Sequence, residues 1–90
     1  SFREEEDKNT LLCHASKSNQ IEIVQSLLSS KDYSPTITQN EIINSIKESI
    51  KMKNTEIVFL LIDNPLINQE TKNQYIFEIF KNNLERVTPE

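Results

Sequence analysis

Cys13 and His14 stand side by side, a thiol next to the chain's single histidine, and such a pair is the raw material of a thiol nucleophile with its base. Neighbouring residues on a helix point about 100° apart, however, so these two cannot form the hydrogen bond that activation needs. With no second histidine a relay cannot be built, and the expectation is a packed Cys13 beside a surface His14. The run Glu4-Glu5-Glu6-Asp7 could ligate a hard cation, but consecutive side chains spread over several faces and no Asp-x-Asp-x-Asn-Gly loop is present. Residues 1–9 therefore read as a solvated acidic lead-in that favours the N-terminus of the first helix. Phosphate cradling relies on glycine-rich backbone, and the chain has no glycine. No enzyme activity, cofactor or metal is expected.

Charge narrows the partners further. The net charge is −4 and the ten basic residues are scattered, which argues against a grip on nucleic acid or on anionic lipid. Apolar residues at 36% and charged residues at 27% place the chain among folded globular proteins. Its longest apolar run, Ile57 to Ile62, falls far short of the roughly 20 residues that span a bilayer, so no membrane insertion is expected. The lone cysteine rules out an internal disulfide and suits a reducing, intracellular and cytoplasmic setting. The opening Ser1-Phe2-Arg3, without Met, reads as a segment of a longer parent chain whose targeting signals lie elsewhere.

The elements that must position any site are helical. Thr10 caps a first helix to Ser18 with Leu12, Ala15 and Ser16 inward, and Asn19 closes it in glycine's stead. A second, Ile21 to Ser29, draws one stripe through Ile21, Val24, Leu27 and Leu28. Ser30 to Ile37 reads as a loop around Pro35. Thr38-Gln39-Asn40-Glu41 fits a capping box opening a third helix, which carries Ile42, Ile43, Ile46, Ser49 and Ile50 and ends near Lys53, with Asn54 as a stop. Glu56 to Ile62, apolar almost all round, should sit at the centre of the core. A fifth helix is expected over Gln69 to Lys81, Asn82 and Asn83 ending it, and a sixth starting through Leu84 and Val87. Phe59, Tyr75 and Phe80 are assigned to the core, with Phe77 the exception.

Two segments repeat at a fixed offset, Glu22-Ile23-Val24-x-x-Leu27-Leu28 and Glu56-Ile57-Val58-x-x-Leu61-Ile62. A period of roughly 34 residues marks a helical repeat array, in which each unit buries its apolar face against a neighbour. Thr10-x-Leu12-x-x-Ala15, then Asn19, then the Glu22 segment resembles the ankyrin repeat, T-P-L-H-x-A-A-x-x-G-x-x-E-I-V-x-x-L-L, and Ile46, Ser49, Glu56, Ile57, Val58, Leu61 and Ile62 keep the pattern in the second copy. Leu11 stands where the family has Pro, Cys13 where it has His and Asn19 where it has Gly. The resemblance implies an all-α array of stacked antiparallel helix pairs, five to six helices in all. Its units would be repeat 1 over residues 10–37, repeat 2 over 38–68 and a degenerate or truncated repeat 3 over 69–90, with loops reduced to turns.

The resemblance also implies a protein-binding scaffold whose concave face is lined by exposed positions of each first helix. These are His14, Lys17 and Ser18 in the first copy and, one period on, Glu48, Lys51 and Met52 in the second. Lys17 and Lys51 in register, with Met52 beside them, would suit an acidic, partly apolar partner. Tyr33 in the first long loop is either an exposed anchor or folds back over Leu28 and Ile37. The partner is another protein or a neighbouring domain of the parent chain, and self-association through an uncapped end is a further expectation. Two other readings stay open: an accessory substrate-docking or structural region of a larger enzyme, and an unrelated short helical bundle.

Overall fold

The structure is a computed structural model that describes residues 10–86. Among those residues it is all-helical, with five α-helices and no strand. They are α1 (Leu11–Lys17), α2 (Ile21–Ser29), α3 (Gln39–Lys51), α4 (Thr55–Ile62) and α5 (Gln69–Arg86), with a 3₁₀ turn over Ser34–Thr36 before α3. Pro35 within that turn supplies the fixed φ that a tight helical turn needs. The acidic run Glu4 to Asp7 and the stretch around Val87 lie outside the described residues.

Each of the first two pairs turns on one left-handed residue. Asn19 has φ 58° and Lys53, its counterpart one period on, φ 63°. Around them the same hydrogen bonds recur: Gln20 N–H to Ala15 O at 2.9 Å and Asn54 N–H to Ser49 O at 2.8 Å, with Asn19 N–H to Ser16 O and Lys53 N–H to Ile50 O inside them. This six-to-one bond wrapped around a five-to-two bond is the Schellman ending, which satisfies the last carbonyls of a helix. Asn19 does close α1 in glycine's stead, but Asn54 does not hold the left-handed turn. That task falls to Lys53, one residue earlier, while the Asn54 side-chain amide donates across the molecule, to Ser16 O at 2.8 Å and Lys17 O at 3.4 Å.

The helix starts follow side-chain chemistry. Thr10 Oγ1 accepts from Cys13 N–H at 3.2 Å and Thr38 Oγ1 from Glu41 N–H at 3.0 Å, so both threonines cap as their positions predict. Asn68 Oδ1 does the same for Thr71 N–H at 2.8 Å at the head of α5.

Packing joins the two pairs side by side. α1 lies against α2 and α3 against α4, while α1 packs most extensively on α3 and α2 touches α4. Leu12, Val24, Ile42, Ile46, Ile57, Val58 and Leu61 are fully buried between them. Helix α4 meets α2, α3 and α5, which explains its nearly continuous apolar sequence. Three expectations fail. Phe59 and Phe80 are 48% and 65% exposed and do not belong to the core. The break at Asn82-Asn83 is absent, and α5 runs as one helix to Arg86, so no sixth helix begins within the described residues. Asparagine in a helix costs only a few tenths of a kcal/mol, about 0.7 at most, and with no proline or left-handed turn there nothing forces a stop.

Two substitutions test this framework. Val58→Asp buries an unpaired charge at the centre of the core and should abolish the cooperative thermal transition followed by circular dichroism. Lys53→Gly removes the steric cost of a left-handed residue with a Cβ and should raise stability by about 1 kcal/mol. An unchanged or lower midpoint in urea would show that Lys53 carries no such cost.

Candidate functional site

Three groups of side chains bear on function, and the first is inert. Cys13 is 2% exposed on α1 and His14, the next residue, is exposed. Burial pushes the Cys13 thiol above the usual thiol range; a hydrogen bond with Ser45 works the other way, and the charge of Glu48 adds to the rise. A buried, protonated thiol is not a nucleophile. Among the described residues no group of three or more His, Cys, Asp or Glu side chains converges as metal ligands do.

The second group is a polar node around Tyr33. Its ring is partly buried and packs on the core. The hydroxyl accepts from Leu12 N–H at 3.2 Å, an amide in the first turn of α1 without a helical partner, and donates to Glu41 Oε2 on α3. Ser30 Oγ fixes the approach by accepting from Tyr33 N–H at 3.0 Å. Burial, then the hydrogen bond to the Glu41 carboxylate, hold the phenol above its usual range. One hydroxyl thus ties the loop to both first helices. Glu41 itself is 4% exposed, and its burial is not legible in the sequence, where a glutamate in a capping box reads as solvated. The only hint is the tyrosine ahead of it in the loop.

The third group is the row expected from the sequence. His14, Lys17 and Ser18 are exposed on α1, Lys51 and Met52 are exposed at the end of α3, and Glu48 is half-buried. Because α1 packs against α3, the two sets occupy neighbouring helices. Lys17 and Lys51 each lie in the last turn of their helix, where a cation also complements the helix dipole. Tyr33 does not join this row, since its hydroxyl serves the opposite, N-terminal ends of the same helices. Asn54, which reads in the sequence only as a helix stop, binds the carbonyls at the end of α1 through its amide. Comparison with protein-family models, curated proteins and solved structures finds no match. Function must therefore be argued from these surfaces.

Replacing Tyr33 by Phe deletes both hydroxyl bonds and leaves the Glu41 carboxylate buried without that donor. The expected loss is about 1–3 kcal/mol in urea unfolding. The sign of the pH effect follows from the raised phenol. The unfolded chain gives up this proton first, so the stabilisation is complete below the ordinary phenol value of about 10 and disappears as pH rises through the folded one. Burial, then the charge of Glu78, also raises the Tyr75 phenol, so phenolate absorbance should show both tyrosines titrating late in the native protein, and Tyr33→Phe should remove one of the two components.

Proposed function

We propose that this chain is a non-catalytic protein-interaction module of ankyrin-repeat type, which binds a partner protein through the exposed row of α1 and α3. The observation that carries this reading is that Lys17 and Lys51, one period apart, both stay exposed on two helices packed side by side. Their neighbours in the sequence, Ser16 and Cys13 on α1 and Ser49 on α3, are buried. A rigid pair of helices that presents a repeated cation, a histidine and a half-exposed thioether has the ingredients of a docking face for an acidic, partly apolar surface. The row holds its side chains on regular helices, where orientation costs little on binding.

The likeness of the two helix pairs supports the repeat reading independently of the row. The Schellman endings recur at the same spacing as the sequence repeat, and so do the buried valines Val24 and Val58 at the second helices. Under this proposal the chain acts as a scaffold inside the cell, and Tyr33 contributes by fixing the first helices and not by touching the partner.

The test is chemical crosslinking and affinity capture, comparing the native chain with Lys17→Glu, Lys51→Glu and with the charge-preserving Lys17→Arg, Lys51→Arg pair. A partner retained by native and Arg forms and lost by the Glu form, with all three melting within a few degrees, is the expected outcome. Partners captured equally by all three would remove recognition from this row.

A further inference from the structure

The exposed charge of the first two helix pairs is sorted by helix. Helices α1 and α3, with the turn that follows α3, expose Lys17, Lys47, Lys51 and Lys53, and their one partly exposed carboxylate is Glu48. Helices α2 and α4 carry no lysine or arginine and expose Glu22 and Glu56, with Asp63 at the end of α4. In a chain of net charge −4 the face of α1 and α3 is thus the basic side.

His14, the chain's single histidine, belongs to that side. It is exposed on α1, about one turn before Lys17. Its counterpart one period on is Glu48, because the Schellman endings put Ala15 and Ser49 in equivalent places. After burial and the Ser45 hydrogen bond, the Glu48 charge raises the Cys13 thiol and the Lys17 charge lowers it, so both groups stand near the residue that precedes His14. The other charged groups on helices packed against α1 are Lys47 on α3 and Glu22 on α2. Lys31 and Asp32 lie in the loop of Tyr33, whose hydroxyl meets the N-terminal end of α1. With a neutral imidazole the row sets Lys17 and Lys51 against Glu48, a single net positive charge, and counting Lys47 and Glu22 as well leaves the balance the same. One proton on His14 doubles it.

We propose that the α1–α3 face recognises an acidic peptide segment of its partner in a pH-dependent way, binding it more tightly on the acid side of neutrality, with His14 as the group that adds the charge. This inference rests on the reading of that face as the binding surface. Imidazole is the side chain whose charge changes between about pH 5 and 8, whereas carboxylates and lysine amines ordinarily change theirs outside that window. In water, a further unit charge roughly 6 Å from a ligand carboxylate changes affinity about threefold, and added salt weakens the effect. Glu48 opposes the same ligand throughout the range, so removing its charge strengthens binding and leaves the pH dependence in place.

The probe is a rhodamine-labelled peptide of Glu-Ser-Leu repeats, with a Gln-Ser-Leu peptide as control. It is titrated with the 90-residue chain by fluorescence anisotropy, at low and constant ionic strength, from about pH 8 to about pH 5.5. Affinity of the native chain for the acidic peptide is expected to rise about threefold over that range. His14→Gln should keep the weaker, high-pH affinity throughout, and His14→Lys, charged at every pH used, should keep the tighter one. His14 is exposed, so both substitutions leave the core intact. Glu48→Gln should bind about threefold more tightly at each pH. Native binding that does not change with pH, or that changes equally in His14→Gln, would overturn this inference and leave the binding face standing. Binding of the acidic peptide no better than the control at any pH would remove the face itself, and this inference with it.

Discussion

The contact between α1 and α3, the most extensive between helices here, sets the geometry of everything else, and small side chains are prominent among those the two helices bury. The residues these helices bury include Cys13, Ala15 and Ser16 on one and Ser45 and Ser49 on the other. Short side chains let helix axes approach toward the lower end of the roughly 8–10 Å range seen for packed helices. Serine is admissible there because its hydroxyl can turn back on its own helix: Ser16 Oγ donates to Leu12 O at 2.7 Å and Ser45 Oγ to Glu41 O at 2.8 Å. Each then presents little more than a methylene to its neighbour. Ser49 departs from this, its buried hydroxyl having no partner among the described residues, at a position where the first pair has Ala15.

Polar links fix the register that this packing alone would leave loose. At one end the Tyr33 hydroxyl spans Leu12 and Glu41; at the other the Asn54 amide reaches the last carbonyls of α1. The two lie at opposite ends of the α1–α3 contact, so sliding one helix along the other breaks both. A buried carboxylate is costly when unpaired, which gives the Tyr33 bond a specifying role beyond its own energy. The exposed row of His14, Lys17, Lys51 and Met52, with the half-buried Glu48, inherits its order from these buried constraints, which fix the two helices that carry it.

Local chemistry is legible in the sequence where one residue decides the outcome. Thr10 and Thr38 cap because a hydroxyl beside a helix start finds an open amide, and the stripe through Val24, like the continuous apolar run of α4, names the buried faces. Outcomes that depend on a distant element are not legible. Nothing in Asn54 reveals that the carbonyls of Ser16 and Lys17 will claim its amide. The same holds for Phe59 and Phe80, which have the sequence character of core residues and lack only a neighbour to cover them. For the candidate row, exposure of His14 and Lys17 can be read from helical spacing, whereas the internal engagement of the Tyr33 hydroxyl requires the fold.

Equivalent positions in the two pairs show why hydrophobicity is a poor guide at the edges of such a stack. Leu11 is 63% exposed, while Ser45, its counterpart in the second pair, is fully buried; Ile23 is 47% exposed and its counterpart Ile57 fully buried. A serine is inside and a leucine outside at the same place in the pattern. The difference lies in what stands next to them, since α1 and α2 cover the flank of α3 and α4 and no described helix covers their own. Burial at a repeated position is therefore a property of the neighbour as much as of the residue. A large-to-small change at Leu11 or Ile23 costs correspondingly little in this chain, because little apolar surface leaves water there on folding.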